Sequence, residues 1–227
     1  MGPTSTSARK TRNPGTRAQG EQHTARGPVQ SRSRQTLDGI LLAATALFKE
    51  AGPPALTFAG IAKAAGVSVG AVQFHFANKE AILEAVITRI LDDNLQAEIV
   101  LYEQLAGAGG GMSAFLHAYI CGQHELLARF NPHFAKSIEI IRANPSLAAK
   151  GQAIGIRAEA LGKATLGAAL ERDGLPRVEE RIDAAYHAIL SFVLRELNFP
   201  SAPPGSPALL RRRHALGQMC LAYLTGA

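Results

Sequence analysis

The 227-residue chain has no tryptophan, two cysteines and few aromatic residues, 6% in all. Cys121 and Cys220 stand far apart in sequence. Two thiols do not make the disulfide framework of a small secreted domain, so a reducing, cytoplasmic setting is expected. No apolar run approaches the roughly 18 residues of a membrane span. The N-terminus lacks the apolar segment of a secretory signal. No stretch alternates apolar and polar residues over the length of a strand, which leaves helices. Catalytic signatures are also missing. There is no Gly-x-Ser-x-Gly elbow, no His-Glu-x-x-His and no phosphate loop. The glycine-rich "AGAGGGM" at 106–112 lacks the preceding strand and the lysine of such a loop, and reads as a connector. No cofactor is expected, and a helical enzyme stands only as an alternative from another class.

What is present is apolar residues, 47% of the chain, enough for a core without metal or disulfide, and an uneven charge. Residues 1–35 hold seven Lys/Arg and the single acid Glu21, which is the whole net charge of +6. The remainder carries equal numbers of each sign. A basic arm on a neutral body suggests a polyanionic partner near the N-terminus. Residues 1–30, rich in glycine and proline, bury too little to order themselves and are expected to be a disordered arm.

From Ser31 the pattern becomes helical. Leu37, Ile40, Leu41, Ala44, Leu47 and Phe48 predict a helix over about 32–51. "AGPPAL" stops it, because Gly52 suits a helix end and the prolines cannot continue it. Thr57 can cap a second helix carrying Phe58, Ile61 and Ala62. Gly66 ends that helix, and Ser68 can cap a third, with Asn78 opening a fourth that runs to about Leu105. Further helices are predicted at about 112–130, 132–143, 145–173, 177–198 and 207–225. The expected fold is all-α with about nine helices.

Two short helices joined by a glycine turn outline a helix-turn-helix. In "IAKAAGVSVGAV", Ile61, Ala62 and Ala65 offer a small core, and Gly66 permits the left-handed turn. Gly70 and Ala71 let a helix backbone lie deep in a major groove. Gln73 and His75 are left near the outer face. A glutamine can pair with adenine, and the exposed methyls of Val69 can meet those of thymine. Thr57, Ser68 and Lys79 are candidate phosphate ligands. The same pattern would also serve as a corner of an ordinary bundle.

The stretch "LTFAGIAKAAGVSVGAVQFHFANKEAILEAV" closely resembles the N-terminal domain of the tetracycline-repressor (TetR) family of bacterial transcription regulators. The matching positions are Thr57, Ile61, Ala62, Ala65, Gly66, Val67, Ser68, Gly70, Phe76, Lys79 and Glu80, and the resemblance covers about residues 32–88. The family usually has tyrosine where this chain has Gln73, and a polar residue where it has Gly60. Whether Gln73, Phe74 or His75 touches DNA is therefore open. The resemblance implies an N-terminal three-helix reading domain over 31–78 and a helical effector-binding and dimerisation domain over 79–227. It implies that Arg32 and Arg34 lie along the phosphates or in the minor groove. The implied function is a dimeric regulator, a repressor that a small effector releases from a palindromic double-stranded operator.

The same resemblance implies that the last two helices pair with their copies. The stripes there are Ile182, Tyr186, Ile189 and Val193, and Leu216, Cys220 and Tyr223. The helix from 112 combines a broad apolar arc with His117, Cys121 and His124 at i, i+4 and i+7. Imidazole and thiolate suit zinc or copper, so a metal- or thiol-responsive regulator is an alternative. Three grouped ligands do not complete a structural zinc site, and no metal is expected. The favoured reading is an effector cavity, lipophilic or aromatic in taste, using Phe115, His117, Tyr119, Gln123, His124, Phe134 and Ile138. Arg211, Arg212 and Arg213 read as a solvated face or as salt-bridge partners. The remaining alternative is a protein that coats DNA without sequence preference.

Overall fold

A computed structural model describes residues 1–2, 28–107 and 109–226, without the side chains of 28–31, 131 and 133–135. The expected disordered arm over 1–30 lies almost wholly outside the described residues. Among these there are eight α-helices, one single-turn 3-10 helix and no strand. The helices are α1 (Pro28–Ala51), α2 (Phe58–Ala65), α3 (Val69–His75), α4 (Lys79–Gly107), α5 (Gly111–Ala143), α6 (Pro145–Arg172), α7 (Glu179–Asn198) and α8 (Pro207–Thr225), with the 3-10 turn at Pro53–Ala55. None of the described helices is long and apolar enough to cross a membrane.

The all-α architecture agrees with the sequence pattern, but the partition differs in two places. Helix α1 starts at Pro28, earlier than the apolar periodicity begins. Proline suits a first helical position because its missing N–H would have no partner there. Helix α5 runs through Pro132, where two helices were expected. Buried Leu126 before the proline and Ile141 after it tie both halves to the rest of the chain. That packing outweighs one lost backbone hydrogen bond.

Three apolar clusters hold the molecule together. The first joins Ile40, Ala44 and Phe48 of α1 to Ile61, Val72 and Phe76, and closes on Ile82, Val86 and Ile90 of α4. The second is small, with Ile87, Leu91, Ile141 and Leu147. The third is the largest and packs Tyr102, Phe115, Tyr119, Ile120, Leu166, Leu170, Ile189, Val193 and Leu224. Helix α4 contributes to all three. Its 29 residues make a rod of roughly 43 Å at 1.5 Å per residue.

Candidate nucleic-acid interface

The N-terminal three-helix unit is built from local rules. Thr57 caps α2, its hydroxyl accepting from the Gly60 N–H at 3.0 Å. A Cβ on Gly60 would come within 2.8 Å of that hydroxyl, so glycine lets the cap close. Gly66 ends α2 in the left-handed region at φ 67°. The Val67 N–H then reaches back to the Ala62 carbonyl at 3.0 Å, the bond of a Schellman turn. Ser68 caps α3 by accepting from the Ala71 N–H at 3.1 Å. Asn78 caps α4 in the same way, accepting from Ala81 at 2.8 Å.

This frame sorts the side chains of α3. Val72 is fully buried, and Phe76 is nearly so. They pin the helix from behind. Val69, Gly70 and Gln73 face out, and Phe74 is 80% exposed. The aromatic core position is therefore Phe76, and Phe74 belongs to the outer face. His75 is half-buried and meets the edge of the Phe74 ring at 5.1 Å between centroids. Ala71 is half-buried, while Thr57, Ser68, Lys79, Arg32 and Arg34 are exposed. Val69, 41% exposed, adds a second apolar side chain to the outer face of α3.

Residues 40–86 match the family model described as bacterial regulatory proteins, tetR family. Over that stretch the chain is similar to the N-terminal domain of the TetR family. Solved structures extend the likeness over the whole fold. A TetR-family transcriptional regulator from Mesorhizobium loti superimposes with a TM-score of 0.68 at 22% identity, over 84% of this chain and 97% of that one. PfmR, a TetR-family regulator from Thermus thermophilus, gives 0.54 at 23% identity, over 78% and 96%. A Clostridium perfringens protein described as a fatty acid metabolism regulator gives 0.52 at 17%, over 83% and 98%. The TetR family is one of DNA-binding transcription regulators, not of enzymes.

The structure redistributes the residues expected beyond this TetR domain. Ile182, Tyr186, Ile189, Val193 and Cys220 are buried inside the chain itself. They belong to the core of the chain, and of the five only Cys220 also lines the groove between α7 and α8. Only Leu216 and Tyr223 of that set reach the surface. The outward face of α7 and α8 is instead Ala184, Ala188, Leu216, Met219, Ala222 and Tyr223, which line an open apolar groove of about 600 Å³. Met219 is 69% exposed and Tyr223 51%. The stripe of largest side chains points inward because that is where volume has to be filled. The small alanines beside it form the outer groove.

The effector set also divides. Phe115, Tyr119 and Gln123 are buried in the third cluster, where the Gln123 amide donates to the Tyr102 hydroxyl at 2.6 Å. His117 is exposed and His124 half-buried, and neither lies on the cavity between α4, α5 and α6. The side chain of Phe134 lies outside the described residues. Ile138 does line that cavity, with Leu91, Asn94, Glu98, Ile141 and Ile154, around a volume of about 400 Å³. A neighbouring cavity of about 210 Å³ shares Leu91 and Asn94 and adds Leu127, Phe130 and Leu190. Glu98 is the residue that sequence reasoning missed. It is 7% exposed, and burial raises its carboxyl to about 7 against a smaller downward pull from the Asn94 hydrogen bond. An acid on the apolar side of a helix at 98, between Leu95 and Tyr102, was the available signal.

His117 and Cys121 touch at 3.7 Å, but His124 does not join them as a ligand set. His187 sits elsewhere, 3.6 Å from both Glu159 and Asp183. Lys163 already pairs with both carboxylates there, which makes the group an ion-pair network between α6 and α7. Of the three arginines, Arg212 pairs with Glu196 at 3.6 Å and Arg211 is exposed, but Arg213 is buried. It is not part of a solvated face.

Proposed function

We propose that this protein is a dimeric, sequence-specific operator-binding repressor that a lipophilic small molecule releases. The observation that carries the reading is α3, pinned by Val72 and Phe76, with Val69, Gln73 and Phe74 presented outward beside two capped helix starts. Gly70 and Ala71 keep the helix surface low between them, so the backbone can approach base edges. Ser68, Thr57 and Lys79 contact phosphates and fix the register. Arg32 and Arg34 on α1 add salt-sensitive affinity. The groove on α7 and α8 takes the same groove of a second copy, an isologous pairing that sets two α3 helices against successive turns of a palindrome. The domain division follows: a reading head over residues 31–78 and an effector-binding and dimerising body from 79 onward.

The effector occupies the cavity between α4, α5 and α6 and the neighbouring one between α4, α5 and α7, whose walls combine leucine and isoleucine with Asn94, Glu98, Arg142 and Gln152 as polar fixtures. A ligand there pushes on α4, which is also a wall of the reading head. It lowers DNA affinity only as far as it prefers the conformer with separated heads.

Selection of duplexes from a random pool, with full-length protein at near-physiological salt, tests the reading. A palindrome with half-sites about one helical turn apart is expected. Binding without any enriched sequence, lost as salt rises, would leave only a DNA-coating protein. With the operator in hand, Gln73→Ala and Phe74→Ala should each reduce discrimination against random DNA while leaving stability within about 0.5 kcal/mol, as for other surface changes.

A further inference from the structure

We propose that α3 reads its half-site through the 5-methyl groups of thymine, with Val69 and Phe74 meeting the methyls and Gln73 pairing with an adenine between them. The inference rests on the operator reading proposed above and names the base pairs that this reading takes.

The first observation is what α3 lacks. Its sequence, VGAVQFH, holds no Arg, Lys, Asp or Glu. Guanine is read most often by an Arg or Lys on its O6 and N7, and cytosine by a carboxylate on its N4 amino group. Neither kind of side chain is on this helix. Exposed cations of the reading head stand on other elements, Arg32 and Arg34 on α1, Lys63 on α2 and Lys79 at the start of α4. They suit phosphates, which fix register but carry no sequence. His75 is half-buried and stands at 82° to the Phe74 ring, with centroids 5.1 Å apart. What the outer face of α3 offers to bases is one amide and apolar carbon. The amide of Gln73 matches the N6 and N7 of adenine. Apolar carbon matches the thymine methyl, which projects into the major groove.

The second observation is the layout of that face. Val72 and Phe76 already fill the core behind α3, which leaves the Phe74 ring outside. At about 100° per residue, Val69, Gln73, Gly70 and Phe74 follow one another round about 140° of the helix. Val69 and Phe74 close the two ends of this arc and lie about 7.5 Å apart along the axis. That is about two base steps of 3.4 Å. Gly70 lies between them. Its φ is not positive, and a Cβ there would meet nothing nearer than the Ser68 hydroxyl at 3.8 Å. Unlike Gly60, it is not a glycine that the local packing requires. It gives up helix propensity and leaves a notch on the outer face, where a base edge can come close to the backbone.

The test uses the full-length protein and the operator recovered by selection. Each thymine of a half-site is replaced by deoxyuridine, which lacks only the methyl, and affinity is read by fluorescence anisotropy at fixed salt. Loss of one contacted methyl should weaken binding about fourfold, the effect of leaving one methyl-sized group unburied. Replacement of every thymine should weaken it by at least about tenfold. Phe74→Ala should be insensitive to deoxyuridine at one position of the half-site, and Val69→Ala at another about two pairs away. Such cycles separate a lost contact from a change in duplex stiffness. Both side chains are exposed, so both variants keep the fold. At the Phe74 position 5-methylcytosine should bind several-fold tighter than cytosine, because it restores the methyl. Gly70→Ala should weaken operator binding without lowering the melting temperature. Three results would overturn this inference and leave the operator reading standing: equal binding of thymine and deoxyuridine operators, full sensitivity retained in both alanine variants, or G·C pairs at the core of each enriched half-site. A pool that enriches no sequence would overturn both.

Discussion

Glu98 and Gly162 are the two residues whose replacement tells most about the interior. Glu98 is a nearly buried carboxyl whose proton is held to about pH 7, against an ordinary value of 4.5. Because its folded value is raised, the native state binds the proton more tightly than the unfolded chain. Native stability therefore falls as pH climbs from about 4.5 to about 7, and the loss is complete above that. Glu98→Gln should remove this slope and stabilise the protein at pH 8 by up to about 3 kcal/mol relative to pH 4. Paired thermal melts of the two proteins across that range check it, and parallel curves would refute it. Gly162 faces three tyrosines. A Cβ there would stand 2.5 Å from the Tyr186 ring, 2.7 Å from the Tyr119 hydroxyl and 2.8 Å from that of Tyr102. Gly162→Ala should cost about 1–3 kcal/mol by overpacking, measured by denaturant unfolding. A cost near zero would mean the tyrosines move freely. Gly162 did not stand out in the sequence, and Glu98 did so only as an acid on the apolar side of its helix. One acid in a helix of many, and one glycine of 22, carry no mark of what other helices bring against them.

The elements were more legible, wherever the signal was local. Thr57, Ser68 and Asn78 cap as their residue types and positions suggest, and Gly66 makes the turn. Each rests on contacts within five residues, which a sequence contains in full. Pro132 misled for the same reason: a local breaker was overruled by burial on both sides of it, which only the tertiary structure supplies. The stripes on α7 and α8 were visible too, yet period alone does not say which of two apolar faces turns inward. Ser68→Ala should destabilise the protein by about 1 kcal/mol through loss of the cap. On the proposed reading, in which Ser68 contacts phosphate, it should weaken operator binding by more than that. Equal losses in melting and in gel-shift titration would assign Ser68 to the fold alone.

For the whole molecule, assembly and reading are expected to fail together. Met219→Glu with Tyr223→Glu places four like charges in a symmetric groove when two copies meet. Light scattering should report a monomer, and operator affinity should fall by at least about tenfold, since one head alone grips half a site. A dimer that survives the change would move the interface elsewhere. Helix α4 carries a different consequence. The reading head is not closed by its own three helices, because Ile82, Val86 and Ile90 of α4 complete its core. A chimera joined after residue 78 would leave that core open on one side and expose Phe48, Ile61 and Phe76 to water. To graft this DNA specificity onto another body, the junction has to come beyond Ile90, inside a continuous helix and in register with its new partner. The head is thus exchangeable only among proteins whose fourth helix keeps the same phase, and the first three turns of α4 have to travel with it.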